Sequence, residues 1–162
     1  MKKLIIGSDK SGFILKEAIK KHLIEQGYDI EDCGTWRVEE AMPFFEVAPI
    51  AARKIQKGQY EKGILICGTG MGMAIVANKF KGVYAAVVEN TYGAEKARAI
   101  NNANILTLGG WITAEIAGCA IVDKFLNTAF TQDLEAWRQE FLKNAYAEVK
   151  MIEEKSYSNE GA

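Results

Sequence analysis

Short apolar segments alternate with amphipathic segments along the chain. Apolar residues dominate 3–7, 63–67 and 105–108, as is typical of strands covered on both faces, and shorter candidate strands lie at 28–32 and 83–88. Each candidate strand is followed by apolar residues at helical spacing. Five such alternations predict a three-layer αβα sandwich, an α/β fold built on a Rossmann-like, five-stranded parallel sheet. The predicted helices cover 11–26, 45–57, 73–80, 91–100, 113–126 and about 132–154.

The first and last predicted helices have recognisable ends and faces. Ser11 is a candidate N-cap of the first helix and Gly27 its C-terminal stop. Its apolar positions are Phe13, Ile14, Ala18, Ile19 and Leu23. The last helix presents an aromatic stripe, which favours a core or dimer face over a ligand site. That stripe consists of Trp137, Phe141, Leu142 and Tyr146. The polar tail that follows is expected to fray, and the whole of 1–162 is expected to form a single domain.

Charge and residue counts exclude several classes of function. The formal net charge of −1 gives no bulk attraction to nucleic acid or to an anionic membrane. No apolar run approaches the roughly 20 residues of a membrane-spanning helix. Three cysteines without CxxC spacing and a single histidine, His22, argue against a disulfide framework and a metal cluster. We therefore expect a cytoplasmic protein that uses neither a metal nor another cofactor.

The strongest chemical signal is the glycine-rich turn 67–72, Cys-Gly-Thr-Gly-Met-Gly. Its glycines permit unusual backbone angles and close ligand approach, and a helix start directs N–H groups at a bound anion. Cys67 precedes that helix, a position that favours the thiolate as base or nucleophile. A dinucleotide-binding turn is the main alternative, but Met73 occupies the place of its third glycine and the turn follows the third strand.

These residues, with others in the same order, resemble the ribose-5-phosphate isomerase B and galactose-6-phosphate isomerase family. The resemblance extends from Lys2 to about Phe130. The matching segments are Gly7-Ser8-Asp9, Gly12-Phe13, Leu15-Lys16, Gly34-Thr35-Trp36, Pro43, the run 63–73, Ala77-Asn78-Lys79, Asn102-Ala103-Asn104 and Gly109-Gly110.

The family resemblance implies aldose–ketose isomerisation of a sugar through an enediolate, without a metal. It implies that Cys67 is the base and that Thr69 holds the enediolate oxygen with the N–H groups of Gly68, Gly70 and Gly72. Asp9 is implied to bind substrate hydroxyls. A homodimer, or a dimer of such dimers, with sites shared between the subunits is expected.

Several family positions carry different residues in this chain. Lys10 replaces a histidine, Ile100 replaces the histidine that helps to open the sugar ring, and Trp111 replaces an arginine. The family's Gly-Gly-Arg-His phosphate-binding segment is replaced by residues 131–135. These changes favour a substrate other than ribose 5-phosphate. The alternatives are ribose-5-phosphate isomerase itself and a non-catalytic sugar-binding or partner subunit. Our further substrate-binding candidates are Lys10, Ser11, Met71, Arg98, Asn101 and Trp111.

The remaining reactive side chains have simpler interpretations. His22 follows two lysines and is expected to be a solvated or half-buried helix residue. Cys33 and Cys119 are expected to be packing residues. Glu89 ends the fourth strand and is either a solvated charge or an acid or base at the active edge. Arg98 is either a surface or salt-bridged residue or an anion ligand across a dimer interface.

Overall fold

Residues 2–158 are described by a computed structural model of the chain. They form one five-stranded sheet, all parallel, in the order β2-β1-β3-β5-β4. The strands are β1 (Lys2–Ser8), β2 (Tyr28–Asp32), β3 (Gly63–Cys67), β4 (Ala85–Val87) and β5 (Ile105–Gly109). The helices are α1 (Phe13–Glu25), α2 (Phe44–Gln56), α3 (Met71–Ala77), α4 (Thr91–Ala99), α5 (Glu115–Leu126) and α6 (Ala136–Ser158), with a 3₁₀ turn at Val38–Glu40.

Alternating strand residues divide the core into two apolar layers, because successive side chains point to opposite sheet faces. Leu4, Ile6 and Ile66 pack with α1, α4 and α5 on one face. Ile5, Leu65 and Cys67 pack with α2 and α3 on the other. The three-layer αβα sandwich with a five-stranded parallel sheet is therefore confirmed.

Several element boundaries differ from the predicted ones. Residues 83–88 contribute only three residues to β4. The Val83 N–H donates to Phe80 O, and the Tyr84 N–H donates to the side chain of Asn104, so neither N–H takes part in strand pairing. The helix expected from 113 begins at Glu115, after the turn in which the N–H of Thr113 donates to Gly109 O. The helix expected from 73 already begins at Met71, and the one expected from 132 begins at Ala136.

Helix α1 begins at a different residue from the one predicted, and its buried face differs in part from the predicted apolar face. Gly12 occupies the N-cap position and makes no side-chain bond, so Ser11 is not the cap. Gly27 has the expected left-handed conformation after the helix, with φ of 84°. Ile14 is 71% exposed, and the buried face is instead Leu15, Lys16, Ile19 and Leu23. A fully buried lysine in this stripe is unexpected.

Helix α6 lies against the segment that precedes β4. The Tyr146 ring contacts the rings of Tyr84 and Phe130, and Glu153 accepts the Gly82 N–H at 2.8 Å. Trp137 and Phe141 are exposed, so the predicted aromatic stripe is divided between the core and the surface. The helix extends to Ser158, beyond the predicted end near 154. The rest of the predicted frayed tail, 159–162, lies outside the described residues. Among residues 2–158, no helix combines the length and apolar character that crossing a bilayer requires.

Candidate active site

The carboxyl ends of β1 and β3 form the crevice at which the strand order reverses. The chain leaves β1 toward β2 on one side and leaves β3 toward the β5–β4 side, which is the switch point where parallel α/β sheets bind ligands. Asp9 follows β1 and Cys67 ends β3. The Asp9 N–H donates to Ile66 O at 3.1 Å, which fixes the first loop beside the cysteine. The topology thus brings together two of the three predicted catalytic residues.

Cys67 is held in place by the glycine turn that follows it. Its side chain is buried, and the backbone N–H of Gly70 donates to Sγ at 3.1 Å. Gly70 reaches this position with φ of 80°, in the left-handed region that favours glycine. The Cys67 carbonyl accepts the Gly110 N–H at 2.7 Å, which ties the turn to the end of β5. A donor directed at the sulfur stabilises negative charge on it.

Thr69 and the start of α3 provide the remaining polar groups of the turn. Thr69 is half-buried, and its Oγ1 accepts the Met71 N–H at 3.3 Å. Gly72 lies in the first turn of α3, where backbone N–H groups have no acceptor within the helix. The Gly70 N–H is directed at the sulfur in this arrangement, and its contact with the enediolate oxygen stays a prediction. The Gly72 N–H and the Thr69 hydroxyl remain candidates for that contact.

Two glycines let neighbouring loops approach the Cys67 turn closely. A Cβ on Gly68 would lie 2.7 Å from the Trp111 ring, so the indole packs directly on this glycine. The Trp111 N–H also donates to Gly68 O at 3.0 Å, while the side chain is 75% exposed. A Cβ on Gly110 would lie 2.3 Å from Ser11 O. The loop of Ser11, the Cys67 turn and the loop of Trp111 therefore converge on one site.

Asp9 carries a carboxylate in an unfavourable environment. Burial raises its pKa above the ordinary value of 3.8, and the backbone N–H groups of Gly12 and Ser11 oppose this by hydrogen bonding. The Gly12 N–H donates to Asp9 Oδ1 at 3.1 Å. Asp9 thus bonds the backbone directly before α1, where the Gly12 N-cap lies. Lys10, the next residue, is exposed.

Cys33 lies in the same apolar layer as Cys67 and has a different environment. Burial, and then the charges of Asp32 and Glu31, raises the pKa of the Cys33 thiol to about 12. Its sulfur lies against Gly7, where a Cβ would be 2.7 Å away. Cys33 is therefore a packing residue, as predicted, and it remains protonated at neutral pH.

Arg98 and Asn101 lie away from the Cys67 turn within this chain. Helix α4 starts after β4 at the carboxyl edge of the sheet and ends before β5, which places both residues at the amino edge. Arg98 is 9% exposed and donates to the carbonyl oxygens of Thr128 and Ala103, at 3.3 and 2.6 Å. These bonds link Arg98 to the chain's own backbone, and a role as substrate ligand across a dimer interface stays a prediction. Asn101 is exposed and remains a candidate only for a site completed by a second chain.

The remaining candidate side chains make no contact with Cys67 among the hydrogen bonds and ion pairs of residues 2–158. His22 is partly exposed on α1 and bonds Asp123 of α5 at 2.9 Å, as expected of a half-buried helix residue. Glu89 is exposed and Cys119 is half-buried. Met71 is exposed at the start of α3. Within residues 2–158, no group of three or more His, Cys, Asp or Glu side chains could hold a metal ion.

Sequence reasoning assigned no role to Lys16. Its side chain is fully buried, and its ammonium is directed at the loop between β2 and α2. A signal was present in the sequence, because Lys16 precedes Ile19 and Leu23 by three and seven residues. A lysine at those intervals lies on the apolar stripe of a helix.

The chain is similar to known sugar isomerases in both sequence and fold. The family model described as Ribose/Galactose Isomerase matches residues 4–142. A 4-deoxy-4-sulfo-D-erythrose isomerase of Clostridium sp. (strain MSTE9) is 64% identical over 155 residues, covering 96% of this chain and 98% of the relative. A D-erythrulose-4-phosphate isomerase 2 of Mycolicibacterium smegmatis is 35% identical, covering 79% and 86%. The structure of Clostridium thermocellum ribose-5-phosphate isomerase B superimposes with a TM-score of 0.86 at 34% identity, covering 95% and 99%.

Proposed function

We propose, from the premise that this chain belongs to the ribose/galactose isomerase family, that it interconverts a four-carbon sulfonated aldose and its ketose. The chain is an aldose–ketose isomerase, and the expectation of a substrate other than ribose 5-phosphate is supported by its relatives. The proposed pair is 4-deoxy-4-sulfo-D-erythrose and 4-deoxy-4-sulfo-D-erythrulose. The observation that carries this choice is the 64% identity, over nearly all of both chains, to an isomerase of that aldose.

The residue at position 100 fits this substrate. The family's ring-opening histidine is replaced here by Ile100, which can neither donate nor accept a proton. A four-carbon aldose with sulfur on C4 lacks the C4 hydroxyl that would close a five-membered ring. The open-chain aldehyde is therefore available without a ring-opening acid. The same holds when a phosphate blocks that oxygen, as in erythrose 4-phosphate.

Proton transfer is assigned to Cys67. The thiolate, stabilised by the Gly70 N–H at 3.1 Å, removes the proton from C2 of the aldose, and the electron pair forms the C1–C2 double bond. Charge moves to O1 and gives an enediolate. Return of a proton to C1, with transfer of the O2 proton to O1, gives the ketose with no change in composition. The buried thiol stands beside the Asp9 loop, so base and hydroxyl-binding group face one crevice.

The charge on the enediolate oxygen requires donors fixed in advance. The Gly72 N–H and the Thr69 hydroxyl occupy the start of α3 and are assigned to that oxygen. Asp9 is assigned to the substrate hydroxyls through the carboxylate oxygen that does not bond Gly12. The burial that raises the Asp9 pKa also strengthens such a hydrogen bond, because the local dielectric is low.

Recognition of the sulfonate is assigned to the rim of the site. Lys10 is exposed next to Asp9 and offers a positive charge where the family has a histidine. The Trp111 indole, packed on Gly68, gives an apolar wall for the carbon chain and narrows the mouth. Ser11 lies in the same loop as Lys10, opposite Gly110, and can donate its hydroxyl to a sulfonate oxygen. The exposed Met71 side chain lies at the same rim.

A homodimer, or a dimer of such dimers, is proposed as the active assembly. Trp137 and Phe141 expose 69% and 62% of their surface on one side of α6, and Ile116 exposes 88% on α5. Large exposed apolar side chains favour an interface between chains. A second copy would also bring Asn101 to the site of its neighbour. The free thiols of Cys33, Cys67 and Cys119 suit a reducing compartment, which we propose to be the cytoplasm.

The proposed function is tested by turnover on a substrate panel. The panel comprises 4-deoxy-4-sulfo-D-erythrulose, D-erythrulose 4-phosphate, unsubstituted D-erythrulose and ribulose 5-phosphate, each followed by NMR. We expect the sulfonated ketose to give the highest kcat/KM, at least about 10-fold above the phosphate because the charge and shape of the anionic group differ. Lys10→Met should reduce kcat/KM for the sulfonate more than for unsubstituted erythrulose.

Other outcomes of the panel would correct the proposal. Highest turnover on ribulose 5-phosphate would show that the altered residues do not change the substrate. Absence of turnover on every compound, with folded protein of defined oligomeric state, would favour the non-catalytic partner subunit. Light scattering on the same sample would decide the assembly, and a monomer with full activity would contradict the shared site.

A further inference from the structure

Lys16 is a buried cation with hydrogen-bond partners at the end of β2 and in the loop that follows it, and with a longer ion pair to Glu17 at 3.2 Å. Its side chain is 0% exposed, and Nζ donates to Thr35 O at 2.7 Å and to Gly34 O at 3.2 Å. The third partner is Asp32 Oδ2 at 2.6 Å. An ammonium has three donors, so this set uses all of them. We infer that Lys16 is a positioning residue that fixes the 33–44 loop against the Cys67 site; this role rests on the proposed isomerase function.

The loop base that Lys16 holds is conformationally restrained. Thr35 is buried and has φ of 52°, a left-handed conformation that is uncommon for a β-branched residue. Its hydroxyl closes the loop by accepting the Met42 N–H at 3.1 Å and donating to Met42 O at 3.4 Å. Such a conformation persists only where its surroundings enforce it. The Lys16 bond to the Thr35 carbonyl is one of those constraints.

The same loop contacts both halves of the site. Gly34 O accepts the Ser8 N–H at 3.4 Å, immediately before Asp9, as well as the Lys16 ammonium. The end of the loop leads into Phe44, whose ring lies 3.0 Å from where a Gly72 Cβ would be. A shift at the loop base is therefore transmitted to the Asp9 loop and to the helix start that carries the Gly72 N–H.

Lys20 provides a natural comparison within α1. It also donates to Asp32 Oδ2, at 2.8 Å, but its other side-chain partner is Glu17 and it is partly exposed. Lys20 therefore shares the ion pair of Lys16 without the loop carbonyls. Loss of the Lys16 ammonium leaves the Thr35 carbonyl without its donor and the Gly34 carbonyl with only the 3.4 Å bond from Ser8. Asp32 stays paired in either variant, with Lys20 in one and with Lys16 in the other. If Lys16 positions the loop, removal of Lys16 should lower kcat more than removal of Lys20 does, in addition to any difference in stability.

The test compares Lys16→Met with Lys20→Met at a temperature where both are folded. Kinetics with the sulfonated ketose and hydrogen exchange of the 34–44 amides are measured on the same samples. We expect Lys16→Met to lower kcat by about 100-fold with a smaller change in KM, because a displacement near 1 Å has that effect. We expect faster exchange in 34–44. Lys20→Met should change kcat by no more than about twofold.

Two results would overturn the positioning role. In one, Lys16→Met keeps wild-type kcat and loop exchange while only its melting temperature falls. In the other result, Lys20→Met lowers kcat as much as Lys16→Met does. If Lys16→Met does not fold, Asp32→Asn is measured in its place. This variant removes the charge that pairs with Lys16 but leaves the Lys16 ammonium as donor to the Gly34 and Thr35 carbonyls. Asp32→Asn should lower kcat by about 10-fold and speed loop exchange, and wild-type values for both would contradict the inference. If the wild type turns over no panel compound, the proposed function fails separately, and loop exchange alone decides whether Lys16 holds the loop.

Discussion

The surroundings of Cys67 and Cys33 differ, although both thiols are buried in the same apolar layer of the sandwich. Cys67 ends the central strand β3 and receives the Gly70 N–H on its sulfur. Cys33 follows the edge strand β2, where burial and the neighbouring carboxylates of Asp32 and Glu31 raise its pKa to about 12. A hydrogen-bond donor is thus directed at the sulfur of Cys67, whereas negative charges surround the sulfur of Cys33. Burial of a cysteine is therefore no guide to its reactivity; the groups directed at sulfur decide it.

The Cys67 region also contains features that reduce stability. Asp9 keeps a half-buried carboxylate whose surroundings oppose its charge, and Gly70 holds a left-handed conformation that other residues adopt only at a cost. The Cys33 sulfur packs against Gly7, and the strained backbone nearby is at Thr35. An unfavourable charge such as that of Asp9 is expected in a candidate active site, where chemistry is organised at some cost in stability.

Among the predicted variants that test the difference between the two cysteine sites, replacement of Gly70 should have the largest combined effect on kcat and on the free energy of unfolding. In Gly70→Ala the new Cβ meets the Leu108 backbone at about 3.0 Å with φ of 80°, so the turn must move and the N–H leaves the sulfur. We expect kcat to fall by about 100-fold. The free energy of unfolding should fall by about 1–3 kcal/mol. Steady-state kinetics and urea unfolding measure these two quantities.

Gly27→Ala is the matched control for that experiment. Gly27 has φ of 84°, and no heavy atom of the described chain lies within 4 Å of a Cβ built there. It should lose about 1 kcal/mol of stability through the same backbone strain and keep wild-type kcat. Equal losses of kcat in the two variants would show that the Gly70 N–H has no special role at the sulfur.

Asp9→Asn should abolish activity but change stability less than Gly70→Ala does. The folded-state pKa of Asp9 is raised above 3.8, so its contribution to stability is complete below that pH and is lost as pH rises through the folded-state pKa. Asparagine still accepts the Gly12 N–H and has no charge to bury. We expect a modestly higher melting temperature than wild type at pH 7 and a smaller difference near pH 3.

Asp29→Asn controls for the general removal of a carboxylate, because Asp29 is exposed on β2. Its melting temperature should follow that of the wild type at both pH values. A lower melting temperature of Asp9→Asn at pH 7 would mean that the ionised carboxylate stabilises the loop. In that case hydrogen bonding to Asp9 outweighs its burial, contrary to the raised pKa.

The sequence carried enough information for the sheet and the Cys67 turn. Continuous apolar runs identify β3 and β5 because a strand covered on both faces has little choice of residue. The glycine spacing identifies the turn because few other sequences allow φ of 80° before a helix. Helix ends were less predictable. At the start of α1 the Gly12 N–H bonds Asp9, and the Asp9 N–H in turn makes a tertiary bond to Ile66 O that no local pattern indicates.

Side-chain partners distant in sequence were not predictable. Arg98 looked like an anion ligand, but its guanidinium bonds Thr128 O, 30 residues away. The sequence indicated no partner for Lys16, and only the folded chain shows the Gly34 and Thr35 carbonyls around it. Periodicity places a residue on a helix face, whereas the identity of its partner depends on how the loops meet.

Deuterium exchange into the ketose tests the central claim, that Cys67 and not Cys33 moves the proton. Wild type, Cys67→Ala and Cys33→Ala are incubated with 4-deoxy-4-sulfo-D-erythrulose in deuterated water, and loss of the C1 proton signal is followed by NMR. We predict exchange in the wild type and Cys33→Ala at similar rates, and a reduction of about 10⁴-fold or more in folded Cys67→Ala. Exchange in Cys67→Ala within about 10-fold of the wild-type rate would contradict the assignment of the base.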